Sequence, residues 1–390
     1  MPVNFVQLKQ SLQRYSERVK TQQDLLDELT DELWALYSDA SIDPEAIRAI
    51  VQEAGRQNSK LVCACPMQEP LLSHFPLPAK ADHYTIMAAD GSQITPSRHK
   101  PIQFCVINVG LIKARIGTGA APEIITHSQL LEHEDLYDNE GSLIDEDTIA
   151  LRRDHAERAA LAEQITTDHT PIITLTDGPL GIYRRKDANT AFASWQKKIM
   201  KVYAQLHEQG VITAGYIDKP GSDMIARLFS LLQLPPDERQ SFDSKKRHYK
   251  GISDATLLSK VLEKPGERSA IFQAYNGMDQ NSEDRMDVYF FYLNIGQQKP
   301  YLVRVEFPEL VAYSPERINL LHAAIYNEVQ VLETHPYPYI LHRAHELAVI
   351  HFDEHAEVER LILEAYQEVG IRAGMHSNKE ANKIFASHTS

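Results

Sequence analysis

Apolar residues recur at helical spacing through residues 3–56, among them Leu8, Leu12, Leu25, Leu26, Leu29, Leu33 and Leu36. The pattern predicts two or three amphipathic helices, suited to an arm or a dimerisation element. Four prolines between residues 66 and 82 then mark a linker. Beyond it the apolar runs shorten. They predict strands over about 84–90 and 102–112, and a weaker one near 123–126. An acidic loop leads to a helix over about 143–167, a strand over 171–177, a helix over about 189–209, a strand over 211–217 and a helix over about 222–233. After Pro235 the order changes. A helix over 254–262 precedes strands at about 269–274, 287–294 and 301–307, then a helix over 315–333. The turn His335-Pro336-Tyr337-Pro338-Tyr339 opens a last helix pair that runs to about 370.

The order from residue 84 is therefore three strands, helix, strand, helix, strand, helix. Three consecutive strands pair readily as a meander, and the later strands return through right-handed helical crossovers. This is the order of the ribonuclease-H-like fold. The expected class is α/β: a ribonuclease-H-like mixed sheet flanked by helices, with an N-terminal helical arm and a C-terminal α+β extension. The arm and linker take residues 1–79, and the ribonuclease-H-like core takes about 84–235.

Two of the predicted strands deliver an aspartate. Asp90-Gly91-Ser92 follows Tyr84-Thr85-Ile86-Met87-Ala88-Ala89, and Asp177-Gly178-Pro179 follows Ile172-Ile173-Thr174-Leu175-Thr176. Each reads as a strand end with glycine making the turn. The fold places one acid on the first strand, one on the first helix and one at the end of the fourth strand. Asp90 and Asp177 fall in the first and last of these slots. The helix between them offers Asp154, Glu157 and Glu163; Glu157 is the best placed, because Ala160 and Leu161 follow at i+3 and i+4 and set it beside an apolar stripe. Clustered carboxylates of this kind suit divalent cations acting on nucleic-acid phosphate. His345, in Leu341-His342-Arg343-Ala344-His345-Glu346-Leu347, adds a candidate imidazole ligand. Such a ligand favours Mn²⁺ over Mg²⁺, which prefers oxygen. Tyr337, eight residues earlier, is placed to hydrogen-bond a phosphate or a metal-bound water.

Composition narrows the field. The net charge of −14 argues against a protein that coats nucleic acid through bulk charge. Charge is uneven, however. Residues 129–150 hold eight acids and no Lys or Arg, whereas basic clusters occur at Arg184-Arg185-Lys186, at Lys197-Lys198 with Lys201, and at Lys245-Lys246-Arg247. Arg185, Lys197 and Lys198 are therefore the candidate DNA contacts. Three cysteines cannot build a disulfide framework, and Cys63-Ala64-Cys65 lacks the second pair a zinc site needs. His345-Glu346 begins a zincin-like motif, but Val349 stands where the second histidine belongs. No Walker A or GxGxxG motif occurs, so ATP hydrolysis by this chain is not expected. No apolar stretch is long enough to span a bilayer, and Met1-Pro2-Val3-Asn4-Phe5 is unlike a signal peptide. A cytoplasmic protein with no membrane association is expected.

Taken in order, these segments resemble the NurA family of DNA-end-processing nucleases. The likeness runs through Asp90-Gly91-Ser92, Arg153-xxx-Glu157, Asp177-Gly178, Asp254-Ala255-xx-Leu258 before Gly266-Glu267-Arg268-Ser269, Tyr292…Arg304-Val305-Glu306-Phe307-Pro308, and Tyr337-Pro338…Ala344-His345. It covers roughly residues 80–385, which would form the nuclease domain. The resemblance implies a toroidal homodimer, Mn²⁺-dependent 5′→3′ exonuclease and single-strand endonuclease activity in DNA double-strand break repair, and partnership with a HerA-type hexameric ATPase. By position, Asp90, Glu157, Asp177 and His345 match the family's metal-binding set, which the resemblance implies holds two ions, and Tyr337 matches a tyrosine near it. One departure stands out. Pro179 replaces the serine usual after the second Asp-Gly and removes a backbone donor there.

Two other readings stay open on sequence. One is a catalytically weak scaffold that binds DNA ends and an ATPase, its acids structural. The other is a small phosphoester hydrolase with the same metals in a closed pocket.

Overall fold

The structure is a computed structural model. It describes residues 4–39, 43–97, 99–100, 102–131, 133–137, 141–166, 170–181, 190–277, 286–332 and 334–370. The N-terminal elements are α1 (Phe5–Ser38), α2 (Pro44–Gln57), β1 (Val62–Pro66) and β2 (His74–Phe75). Next come β3 (Tyr84–Ile94), β4 (Val106–Ile116), β5 (Glu123–Leu130), α3 (Glu146–Glu163), β6 (Ile172–Asp177), α4 (Thr190–Glu208), β7 (Ile212–Ile217) and α5 (Met224–Leu232). They are followed by α6 (Asp254–Leu258), β8 (Arg268–Ser269), β9 (Phe272–Asn276), β10 (Val288–Asn294) and β11 (Leu302–Pro308). The last elements are α7 (Glu309–Ala312), α8 (Pro315–Gln330), α9 (Tyr339–Ala348) and α10 (Phe352–Glu368). No helix among the described residues is long and apolar enough to cross a membrane.

The chain forms two compact units. Residues 1–80 fold with 215–326, and residues 81–214 fold with 327–390. This differs from the expected separate arm on residues 1–79 and core over 84–235. The reason is apolar burial. Leu33 and Tyr37 of α1 and Ile47 and Val51 of α2 are fully buried with Phe229, Phe272, Phe290 and Tyr292 in one core. The first half of α1 does keep an arm-like character, since Phe5, Leu8, Leu12 and Tyr15 are exposed.

In the first unit the strands run β1-β9-β10-β11 and then onto the Gly215–Ile217 end of β7, with every pair antiparallel. The Cys63-Ala64-Cys65 segment, for which the sequence pattern predicts no element, lies in strand β1, paired in register with β9. Both thiols are buried. Burial pushes Cys65 up to about 12, so it is an inert packing group.

The second unit carries the predicted meander. β3 pairs antiparallel with β4 along its whole length, and β4 pairs with β5. On its other side β3 pairs parallel with β6, and β6 is followed by the start of β7, where Thr174 donates its hydroxyl to Thr213 at 3.1 Å. This is the ribonuclease-H-like order read from the sequence. Asp145 starts α3 by accepting the Thr148 amide at 2.7 Å, and Glu146 and Asp147 place negative charge on the first turn.

Candidate metal and nucleic-acid site

Every candidate acid, His345 and Tyr337 belong to the second unit. The register explains how the two aspartates are related. Thr85 pairs with Ile172 and Ala88 with Leu175, a constant offset that brings Asp90 level with Asp177 two residues further on. Level residues of parallel neighbours project to the same face. Asp177 is the last residue of β6 and is exposed, and Gly178 turns the chain with φ +91°. For this aspartate the glycine turn read from sequence is correct.

For Asp90 it is not. β3 continues through Gly91 and Ser92 to Ile94, so Asp90 lies inside a strand. Gly91 is needed for room. A Cβ there would stand 2.6 Å from Arg153 Cγ and 2.7 Å from Glu157 Oε1. The missing side chain lets α3 bring Glu157 against the strand.

Asp90 and Gly91 face opposite sides of the sheet, as successive strand residues must. Gly91 faces α3. Asp90 is paired with Gly110, whose absent Cβ would strike Leu347 of α9 at 2.6 Å. The Asp90 carboxylate therefore faces α9. There its Oδ2 meets His345 Nδ1 at 2.7 Å, while Oδ1 accepts the Gly91 amide at 2.9 Å. The Asp90 side chain is 25% exposed and that of His345 65%, so the pair opens to solvent. The end of α9 is fixed by two donors from the sheet. Ser92 Oγ and Asn108 Nδ2 both donate to the Ala348 carbonyl, the latter at 2.8 Å. Ser92 and Asn108 are register partners on the Asp90 face. They hold α9 so that His345, one turn earlier, comes to Asp90.

Glu157 is nearly closed off, with 10% of its side chain exposed. Arg153 Nε stands 3.3 Å from Oε1 and Arg158 3.8 Å from Oε2. Burial pushes the carboxyl up to about 8. Arg158 and Arg153 pull it down, and Asp154 and Asp90 push it further up. Burial wins over the two cations because neither guanidinium makes a close bidentate contact. Of the three candidate acids on α3, only Glu157 lies on the sheet side at Gly91. Asp154 is partly exposed beside Arg153, and Glu163 is exposed at the helix end.

The Asp90 end of β3 is thus bracketed: His345 approaches from the α9 side and Glu157 from the α3 side. Among the described residues no three His, Cys, Asp or Glu side chains stand close enough together to hold a metal ion. The donors nonetheless fit a divalent cation in kind, being three carboxylates and an imidazole on adjoining backbone. Tyr337 is partly buried in the proline turn that enters α9, two residues before the helix begins. Lys197 and Lys198 lie exposed on α4. Arg185 lies outside the described residues.

Sequence reasoning quoted Ser92 in Asp90-Gly91-Ser92 without giving it a role, and passed over Asn108, which belongs to no motif. The signal that could have found them is the register: once β3 and β4 pair, a serine and an asparagine face each other two residues beyond Asp90.

The NurA domain family matches residues 84–350, more than half of the chain. The chain belongs to the NurA family. Its structure is similar to that of the NurA nuclease from Sulfolobus solfataricus, at 10% identity and a TM-score of 0.50, over 91% of this chain and 97% of that one. Weaker likenesses are to LC9-RNase H1, a type 1 RNase H (13% identity, TM-score 0.23, 39% of this chain and 69% of that one), and to an Argonaute of Aquifex aeolicus (9% identity, TM-score 0.30, 70% and 29%). No curated protein matches the sequence. Membership of the NurA family supports a nuclease, with the candidate acids inside the matched span.

Proposed function

We propose that this NurA-family chain is a metal-dependent deoxyribonuclease that trims DNA ends and cuts single strands. The observation that carries the reading is the bracketed aspartate. Asp90 and Asp177 lie level on neighbouring strands, with Glu157 reaching one side of that strand end and His345 the other. Donors on both sides of one strand end suit two ions better than one. Asp90, Asp177, Glu157 and His345 would hold them, Mn²⁺ by preference and Mg²⁺ as an alternative, and bound cations would supply an activated water and charge neutralisation at the scissile phosphate.

The chain's own residues contribute the rest. Ser92 and Asn108 fix α9 and so orient His345. Arg153 and Arg158 hold Glu157 in place. Without a cation Glu157 is largely protonated near neutrality, so a metal would displace a proton there. Tyr337 is assigned a supporting role towards phosphate. Arg185, Lys197 and Lys198 are assigned to the DNA backbone.

The family supports the finer points. They are 5′→3′ exonuclease polarity, a place in double-strand break repair, a homodimer, and a HerA-type hexameric ATPase as partner in the cytoplasm. The charge of −14 makes the last point physically useful, since an acidic chain gains from a motor that feeds DNA to it.

One observation favours the weaker reading of a DNA-end and ATPase scaffold: three donors do not converge among the described residues. Pure protein incubated with labelled single-stranded DNA and Mn²⁺, with and without EDTA, separates the two. The nuclease reading expects metal-dependent shortening of the strand. Binding without cleavage at any divalent metal would favour the scaffold.

A further inference from the structure

A tryptophan on the outer helices has neighbours that a packing role does not require. Trp195 of α4 is partly buried. Lys198, one turn along, lays its ammonium 3.5 Å from the centroid of the indole. Two residues of α3 complete the surround. The Arg152 guanidinium is 5.0 Å from the ring centroid, and the His155 ring meets the indole edge-on at 5.2 Å. Trp195 and Lys198 are three residues apart, as are Arg152 and His155, so facing stripes of the two helices supply the group. Asp135 pairs with Arg152 at 3.3 Å, while Lys198 is exposed and turned onto the ring.

An aromatic plane ringed by basic side chains matches the two parts of a nucleotide. A base stacks on the plane, and the exposed Lys198 takes a phosphate beside it, while the buried, Asp135-paired Arg152 backs the ring. Lys198 covers the ring, but an exposed cation–π contact is weaker than base stacking. A base can therefore displace the ammonium, which is then free to meet the backbone. Duplex DNA keeps its bases stacked on one another, so only an unpaired strand can use such a platform. His155 and Glu157 are two residues apart on one helix, about 3 Å along its axis and about 200° round it, so the platform lies level with Glu157 on the helix face turned to α4.

We infer that Trp195, with Lys198, His155 and Arg152, forms a stacking platform that holds an unpaired DNA strand beside the Glu157 end of α3. The inference rests on the nuclease reading for the identity of the strand. It adds a residue that recognises single-stranded DNA through its bases.

The chain has two tryptophans, Trp34 and Trp195, so a Trp34→Phe protein reports on Trp195 alone. This full-length protein is titrated with dye-free oligothymidylate in EDTA, which prevents cutting, and binding is followed in parallel by the anisotropy of a labelled copy. The platform expects tryptophan emission to fall by about half over the same concentration range as the anisotropy change. Heparin, a polyanion without bases, should leave the emission unquenched. Trp195→Ala should weaken oligothymidylate binding roughly 5- to 100-fold, and Trp195→Phe should retain most of it. Binding with unchanged Trp195 emission, or Trp195→Ala binding within twofold of the parent, would overturn the platform, as would equal quenching by heparin. The two readings fail differently. If Asp90→Ala still cleaves DNA while Trp195 emission is quenched, the catalytic assignment falls and the platform stands.

Discussion

Asp254 and Asp90 are both acids in a NurA-family motif, and the structure treats them in opposite ways. Asp254, in the first unit, is fully buried and closed in by donors. Its carboxylate accepts the amides of Met224, Ile225 and Ala226 at 2.9, 2.8 and 3.3 Å, and the Tyr292 hydroxyl at 3.1 Å. It caps α5 from a distant segment. Arg304, Coulombically coupled to it, is paired with Glu306 at 2.7 Å and donates to Ser222 at 2.9 Å. Asp90, in the second unit, has one backbone donor and one exposed histidine. A carboxylate with all its lone pairs used holds a fold together. One with lone pairs facing solvent, beside an acid that burial keeps protonated, has capacity left for a ligand. The Asp254, Tyr292, Arg304 and Glu306 positions therefore read as architecture, and the Asp90 neighbourhood reads as chemistry.

The comparison can be broken at several points. The largest effect is expected at Asp254→Ala, which strands three buried backbone amides and the Tyr292 hydroxyl. It should lower stability by about 3–5 kcal/mol, since each buried donor left unsatisfied costs roughly 1–3 kcal/mol. Chemical denaturation followed by circular dichroism measures this, and a loss below about 1 kcal/mol would return Asp254 to the functional candidates.

A buried imidazole sharpens the structural side. His322 is fully buried and its Nε2 donates to the Gly266 carbonyl at 2.7 Å. Burial lowers its value from 6.5 to about 4. Between these values the unfolded chain binds more protons than the folded one, so the contribution is intact above about pH 6.5 and is lost as the pH falls. At pH 5 the loss is about 2 kcal/mol, and His322→Gln should flatten this part of the pH–stability curve.

The smallest effect separates neighbouring histidines. His345→Ala should slow Mn²⁺-dependent cleavage about tenfold, or about 1.4 kcal/mol, with no change in melting temperature. His342 pairs with Glu346 at 3.3 Å, away from Asp90, and His342→Ala should remain within twofold. The reverse ranking would show that α9 presents the wrong histidine in this account.

The element order and the candidate acids were legible in the sequence because both rest on local pattern. Runs such as Ile172–Asp177 announce a strand, and the Asp-Gly pairs announce where chain direction or close approach matters. Two kinds of fact were not legible. The reason for Gly91 depends on where α3 crosses β3, a distance in space that no spacing along the chain encodes. The division into units depends on Leu33 and Tyr37 burying against residues two hundred positions later. The N-terminal helices look like an arm until that core is seen. Trp195 was passed over because two of its partners, Arg152 and His155, lie on a different helix.

The most direct test concerns the shared carboxylates. Single-turnover cleavage of end-labelled single-stranded DNA in Mn²⁺ is compared among the parent, Asp90→Ala and Asp177→Ala, each with its melting temperature. Both variants should lose at least ~10²-fold in rate while melting within a degree or two of the parent, because metal ligands supply several kcal/mol to catalysis and these side chains face solvent. Cleavage within twofold of the parent in either variant would contradict the site.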